Sequence, residues 1–247
     1  LRIMMRLLNK LFCTSLVLPL VCSAGTMGNV GPSKLWSIPI QGGFFGASQG
    51  KEQHVDIDGL IGNDYTVDNN SQISGLVGVG LYFNGPSYNW FQLSYGVDAF
   101  YLGKTTVRGD IIQEDLFTNL SYKYSIQNVP VYAAAKALIF TNNPRYNFTI
   151  DAGIGPNFML TSDYHETPLE DFVIPDHAFK GTSTTSFSVT AGAGIRLNNI
   201  IGPMPLECGY RFFYLGQGHL NRVNDQYLDN LNTGDTYANA LVCAVTI

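Results

Sequence analysis

From residue 146 to 160 the chain reads YNFTIDAGIGPNFML, and apolar and polar positions alternate along it. Tyr146, Phe148, Ile150, Ala152, Ile154, Pro156, Phe158 and Leu160 share one parity; Asn147, Thr149, Asp151, Gly153, Gly155 and Asn157 share the other. A period of two puts successive side chains on opposite faces of an extended strand. The run exceeds the roughly 9–11 residues that a membrane-crossing strand needs.

The same pattern recurs, and ten strand-like segments are predicted: 36–47, 52–61, 72–83, 89–102, 114–126, 129–140, 146–160, 183–197, 206–216 and 236–247. Turn-forming residues separate them, including Asn84-Gly85-Pro86, Gln127-Asn128, Asn142-Asn143-Pro144 and Asn198-Asn199. In 89–102 the apolar parity holds Phe91, Leu93, Tyr95, Val97 and Tyr101, against Gln92, Ser94, Gly96 and Asp98. In 183–197 Phe187, Val189, Ala191 and Ile195 oppose Ser188, Thr190, Gly192 and Arg196. Ten antiparallel strands, with eight as the alternative, imply an up-and-down barrel.

Alternation suits a soluble barrel with an apolar inside as well as a membrane barrel with an apolar outside. The polar face separates the two. Solvent-facing strands carry many Lys and Glu, whereas here the polar parity is mostly Ser, Thr, Gly and Asn. Only 13% of the 247 residues are charged, against 26 Gly, 14 Tyr and 15 Phe. The predicted fold is therefore an all-β transmembrane barrel, with Tyr and Phe near strand ends as interfacial girdles. A formal charge of −5 without a Lys/Arg cluster speaks against nucleic-acid binding.

Residues 1–24 have the form of a signal peptide: Arg6 and Lys10, then the apolar stretch 11–21, then Cys22-Ser23-Ala24 before an expected cut. Residues 25–247 form the barrel domain. Cleavage removes Arg2, Arg6 and Lys10 from the 14 Lys and Arg, leaving 11 against 19 acids. Export to an oxidising compartment permits a disulfide between the remaining Cys208 and Cys243. If the hairpin around 217–235 pairs symmetrically, those two lie nearly opposite each other on the lipid side.

An exported chain with these alternating strands resembles the small outer-membrane β-barrel proteins of Gram-negative bacteria, the OmpA/opacity-like class. The stretch Ala24-Gly25-Thr26-Met27-Gly28 is similar to the mature start of some major outer-membrane proteins of intracellular pathogens. The resemblance implies outer-membrane lipid and the barrel assembly machinery as partners. Loops 161–182 and 217–235 are the candidate contacts for host or envelope surfaces.

Inward parity is assigned to Asp98, Lys123, Lys136, Asp151, Arg196, Glu207 and Arg211. Charges in a narrow lumen must be paired or solvated. Their balanced signs favour a plug over a selectivity-lining pore set, with Asp151 expected to meet Lys136 or Arg196. Loop 161–182 carries Asp163, His165, Glu166, Glu170, Asp171, Asp176 and His177, but without ligand spacing, and it is read as a solvated acidic loop. Leu220, Val223, Tyr227, Leu228 and Leu231 recur at helical spacing and predict a short helix before Gly234. No Gly-x-Ser-x-Gly or His-Glu-x-x-His motif occurs, so neither an enzyme nor a cofactor or metal site is expected. His165, His177 and His219 are the residues on which a rim enzyme would have to rest.

Overall fold

The computed structural model describes residues 35–68, 72–202 and 204–247. The expected leader lies outside these residues. Among the described residues twelve strands occur in chain order: β1 (Trp36–Ser37), β2 (Pro39–Ser48), β3 (Gln53–Val55), β4 (Asn63–Tyr65), β5 (Gln72–Ser87), β6 (Phe91–Gln113), β7 (Phe117–Ile139), β8 (Tyr146–Pro168), β9 (Phe179–Lys180), β10 (Ser183–Ile201), β11 (Met204–Arg222) and β12 (Leu231–Thr246). All pairings are antiparallel. The eight long strands follow one another around a closed ring, β2–β5–β6–β7–β8–β10–β11–β12, which returns to β2. Strand β1 pairs with β5 in the same register as β2, so the two are one strand interrupted at Ile38. Closure leaves no unpaired sheet edge within the ring, as spanning a bilayer requires.

The ring has eight strands, the alternative to the ten expected, for two reasons. Segments 114–126 and 129–140 are one continuous strand, β7. Gln127 and Asn128 sit in the β7–β8 ladder opposite Leu160 and Met159 instead of turning the chain, and the Asn128 side chain accepts a hydrogen bond from Asn157 Nδ2 at 2.8 Å. Two polar residues in sequence read as a turn, yet one of them serves an inward polar layer. Segment 52–61 is not a barrel strand either. Its residues 53–55 fold against β4, and β4 in turn extends the edge of β6 above the ring.

The expected helix before Gly234 is absent: β11 runs on to Arg222, β12 begins at Leu231, and residues 223–230 form an irregular turn with a single bridge from Tyr227 to Ile57. Leu220 and Leu231 are cross-strand partners, both fully buried. Register shifts beside Gly216 and between Gln217 and His219 break the simple period of two, and the apolar spacing that results imitates a helix. Loop 161–182 is likewise shorter than expected, because β8 continues to Pro168.

Outside the ring, Phe44, Val77, Val97, Ile154, Phe187 and Leu241 each expose half or more of their surface. A continuous belt of such residues is unfavourable against water and favourable against lipid. Strands β6, β7 and β8 have 23 residues each. At about 3.3 Å per residue they run about 76 Å, far beyond what a tilted crossing consumes. They rise past the belt as a wall on the side of the long connections, which in this class of fold is extracellular. Beneath those connections Tyr65, Tyr122, Tyr124, Phe179, Leu220 and Tyr227 make a second apolar core, separate from the one inside the ring.

Candidate functional site

Two regions concentrate the chemistry: the lumen and the extracellular crown. Within the lumen, side chains of one parity from all eight strands converge. Each buried acid is made possible by a glycine directly across the ladder. Gly80 pairs with Asp98, and a Cβ on it would lie 2.2 Å from Asp98 Oδ1; Gly192 pairs with Asp151, and a Cβ there would lie 2.8 Å from Asp151 Oδ2.

Arg211 bonds one of these acids and faces the other at longer range. Its Nη2 lies 2.6 Å from Asp151 Oδ1 and its Nη1 lies 4.0 Å from Asp98 Oδ2. Gln41 Nε2 donates to Asp98 Oδ1 at 3.0 Å, and the Tyr82 hydroxyl donates to Asp98 Oδ2. The Arg211 guanidinium also lies 5.0 Å from the centre of the Phe100 ring. A second pair, Lys136 Nζ to Glu207 Oε1 at 2.8 Å, lies nearer the periplasmic end. In a site of low dielectric, charges persist only when each has a close partner and its remaining lone pairs are bonded.

Six of the seven charges assigned inward by parity point into the lumen. Lys123 is the exception: it is exposed on the outer face of β7, above the belt. Since β7 is continuous, odd-numbered 123 and even-numbered 136 cannot share a face. Asp151 bonds neither Lys136, its cross-strand neighbour, nor Arg196, but Arg211. Sequence reasoning missed Gln41 and Tyr82, and it missed an aromatic layer above the charges. Phe45, Phe100, Tyr132, Phe213 and Leu215 are buried there together. The Phe100 and Phe213 rings meet edge to face at 5.3 Å, and the Tyr132 hydroxyl and Ser188 Oγ are 2.6 Å apart. The signal existed, since Phe100 and Leu102 share the parity of Asp98.

Below this layer the open space is small. One void of about 20 Å³ lies among Gln41, Thr149, Asp151 and Arg211, and another of about 40 Å³ among Tyr82, Lys136, Arg196 and Glu207. At about 10–15 Å³ per water centre, each holds a few water molecules at most.

On the lipid face, Cys208 and Cys243 are register partners on β11 and β12, 4.1 Å apart at Cα, with their sulfurs joined.

In the crown, Glu166 is buried and receives hydrogen bonds from the Tyr164 hydroxyl and from the backbone N–H groups of His177 and Ala178. It therefore pins the β8–β9 loop, so this member of the expected solvated acidic loop is instead buried and structural. The His165 and His177 rings stack at 5.8 Å, and His219 Nδ1 lies 3.5 Å from Thr184 Oγ1. His54, Asp64 and Asp115 bring ligand-type atoms close together. However, His54 Nδ1 already bonds Asp64 at 2.7 Å and Nε2 bonds the Ile61 carbonyl at 2.9 Å. The Asp64 carboxylate and that carbonyl raise the His54 pKa above its ordinary value. A protonated imidazole clamping the β3–β4 hairpin accounts for the group without an ion.

A closed antiparallel ring, an apolar belt and a packed lumen define the class: a small transmembrane β-barrel of the outer-membrane type. Its fold is similar to that of Neisserial surface protein A, with 12% identity over 86% of this chain and 96% of that one and a TM-score of 0.43. It is also similar to the outer membrane protein OprG from Pseudomonas aeruginosa (13%, 85% and 95%, TM-score 0.49) and to the outer membrane protease OmpT from Escherichia coli (9%, 90% and 99%, TM-score 0.47). At such identities the likeness concerns the fold. No family model and no curated protein matches the sequence.

Proposed function

We propose that this protein is an exported outer-membrane scaffold whose barrel is sealed and whose extracellular crown makes the functional contacts. The observation that carries this reading is the doubly filled lumen. The Phe100–Tyr132–Phe213 layer lies above the Asp98–Arg211–Asp151 cluster, and the two voids described among the charges beneath it are water-sized. An ion crossing this barrel would have to displace both at once. An enzymatic role has weaker support, since Glu166, the buried carboxylate among the described residues of the crown, is committed to backbone N–H groups and a tyrosine. The narrow channel is the competing reading. Purified, folded protein in planar bilayers is expected to give no stable unitary openings at either polarity; reproducible openings would replace the scaffold with a pore.

The Cys208–Cys243 bridge belongs to the same reading, as a lipid-side clasp between β11 and β12 formed after export. Protein extracted from membranes without reductant is expected to take up no alkylating agent at either cysteine. Two labelled thiols in the intact mass would remove the clasp.

A further inference from the structure

The extracellular connections form one stitched surface. Ile61 N donates to Glu114 Oε2 at 3.0 Å, Asp58 N to the Gln226 carbonyl at 2.8 Å, Leu228 N to the Asp56 carbonyl at 2.9 Å, and the Tyr227 hydroxyl to Asp176 Oδ2 at 3.1 Å. Leu169 N donates to the Asn119 carbonyl at 2.8 Å, which ties the β8–β9 loop to the β6–β7 hairpin. The platform is unusual in two ways. Segments 56–64, 114–117, 169–177 and 223–230 hold ten Asp and Glu and no Lys or Arg. The same segments present large apolar side chains to water: Leu116 is 72% exposed, Phe172 80% and Ile174 83%, with Leu60, Phe117 and Leu169 each more than half exposed.

These residues lie beyond the lipid belt, so the bilayer does not cover them. Apolar side chains gathered at the tip of a wall and bordered mainly by acids mark a contact surface; the cation against the recess, Arg222, is committed to the Tyr227 and Leu228 carbonyls and lies 3.9 Å from Asp225. The charge selects the occupant. A second copy of this crown, or an anionic lipid headgroup, would bring like charges together. A recess of about 160 Å³ sharpens the choice: it is lined by the acids Asp58 and Asp176, by Asn224 and Gln226, and by Ile57, Leu60 and Tyr227. A lysine or arginine side chain suits that recess, with its aliphatic stem along the apolar wall, its head between the carboxylates and the tyrosine ring as a further cation partner.

We infer that the crown is a docking surface for a basic, amphipathic polypeptide segment, and that the recess between Asp58 and Asp176 receives one of its Lys or Arg side chains. The inference rests on the crown being the functional surface and adds the chemistry of what meets it.

The test uses the full barrel in phosphatidylcholine nanodiscs, with empty nanodiscs as reference. A fluorescent peptide of lysine and leucine is compared with the same peptide carrying glutamate for lysine. The basic peptide is expected to bind the loaded discs selectively and to weaken with added salt. Asp58→Asn with Asp176→Asn should weaken it by about tenfold and flatten the salt dependence. Phe172→Ser should weaken it while leaving that dependence intact. Both sets of side chains are exposed, and heat-modifiable migration on a gel verifies that the variants are folded.

Equal binding of both peptides, or full binding by the Asp58/Asp176 variant, overturns the inference. Preferential binding of the acidic peptide, lost in Phe172→Ser, would overturn the basic partner while keeping the crown as the contact surface. Binding of neither peptide would remove both the partner and the contact role, leaving the sealed barrel to the bilayer measurement. Self-association of the barrel that Phe172→Ser abolishes would assign the face to a second copy and would also overturn it.

Discussion

Arg211→Met is expected to destabilise the folded barrel by about 3–5 kcal/mol, the range found when one partner of a buried ion pair is removed. Arg211, Asp98 and Asp151 are all buried almost completely. Without the guanidinium, two carboxylates remain close together in a space that admits only a few waters. Tyr82 and Gln41 still donate to Asp98, but Asp151 loses its 2.6 Å partner. Methionine preserves most of the aliphatic bulk, so the change reads charge more than volume. Urea unfolding in lipid vesicles, followed by the gel shift between folded and unfolded forms, measures it. Adding Asp98→Asn and Asp151→Asn to Arg211→Met should recover a large part of the loss, because neutral groups need no counter-charge. An unchanged midpoint for Arg211→Met would mean that Lys136 or water can replace the arginine, and the cluster would not be the lock it is taken to be.

Phe213→Ala is expected to cost a similar amount, about 3–5 kcal/mol, by the cavity route. Its ring is fully buried and packs edge to face on Phe100, with the Tyr132 ring 6.3 Å from both. Barrel strands held by ladder hydrogen bonds cannot easily collapse into the gap, so the void should persist. Phe213→Leu, which keeps most of the volume, should lose less than about 1.5 kcal/mol. The same unfolding assay reads both variants, and equal losses for Ala and Leu would show that volume is not what this layer supplies. The two sites are not independent, because Arg211 lies 5.0 Å from the Phe100 ring that Phe213 also touches. The double variant Arg211→Met with Phe213→Ala should therefore depart from additivity. Bilayer recordings of that variant place the seal: openings there, with none in either single variant, would show that the two layers close the lumen jointly.

Much of this molecule was legible in one dimension. Parity alone put Phe187, Ile195, Ile150 and Ile154 on the lipid face, and Asp98, Asp151, Arg196 and Arg211 inside. Errors arose where parity met a break. A turn at Gln127-Asn128 would let Lys123 and Lys136 share the inward face; the continuous β7 puts Lys123 outside. The apolar spacing from Leu220 to Leu231 imitated a helix because bulges around Gly216 and His219 offset the strand period. The aromatic layer is harder to read from parity, because Phe100 on the inward face of β6 carries the same apolar signal as the lipid-facing positions beside it.

The sequence by itself determined which way each side chain points along a strand, because the pleat imposes a period of two that depends only on neighbours in the chain. From this follow the apolar exterior, the polar lumen and the membrane as solvent. Only the tertiary structure decided that eight strands close the ring, that Asp151 meets Arg211 across the lumen in place of its cross-strand neighbour Lys136, and that four acidic loops are stitched into one crown. The physical reason is range. Faces are set by adjacent peptide units, whereas register, closure and the partner of a long side chain depend on ladder hydrogen bonds and on reach across the lumen between residues some sixty positions apart, 57 for Gln41 and Asp98.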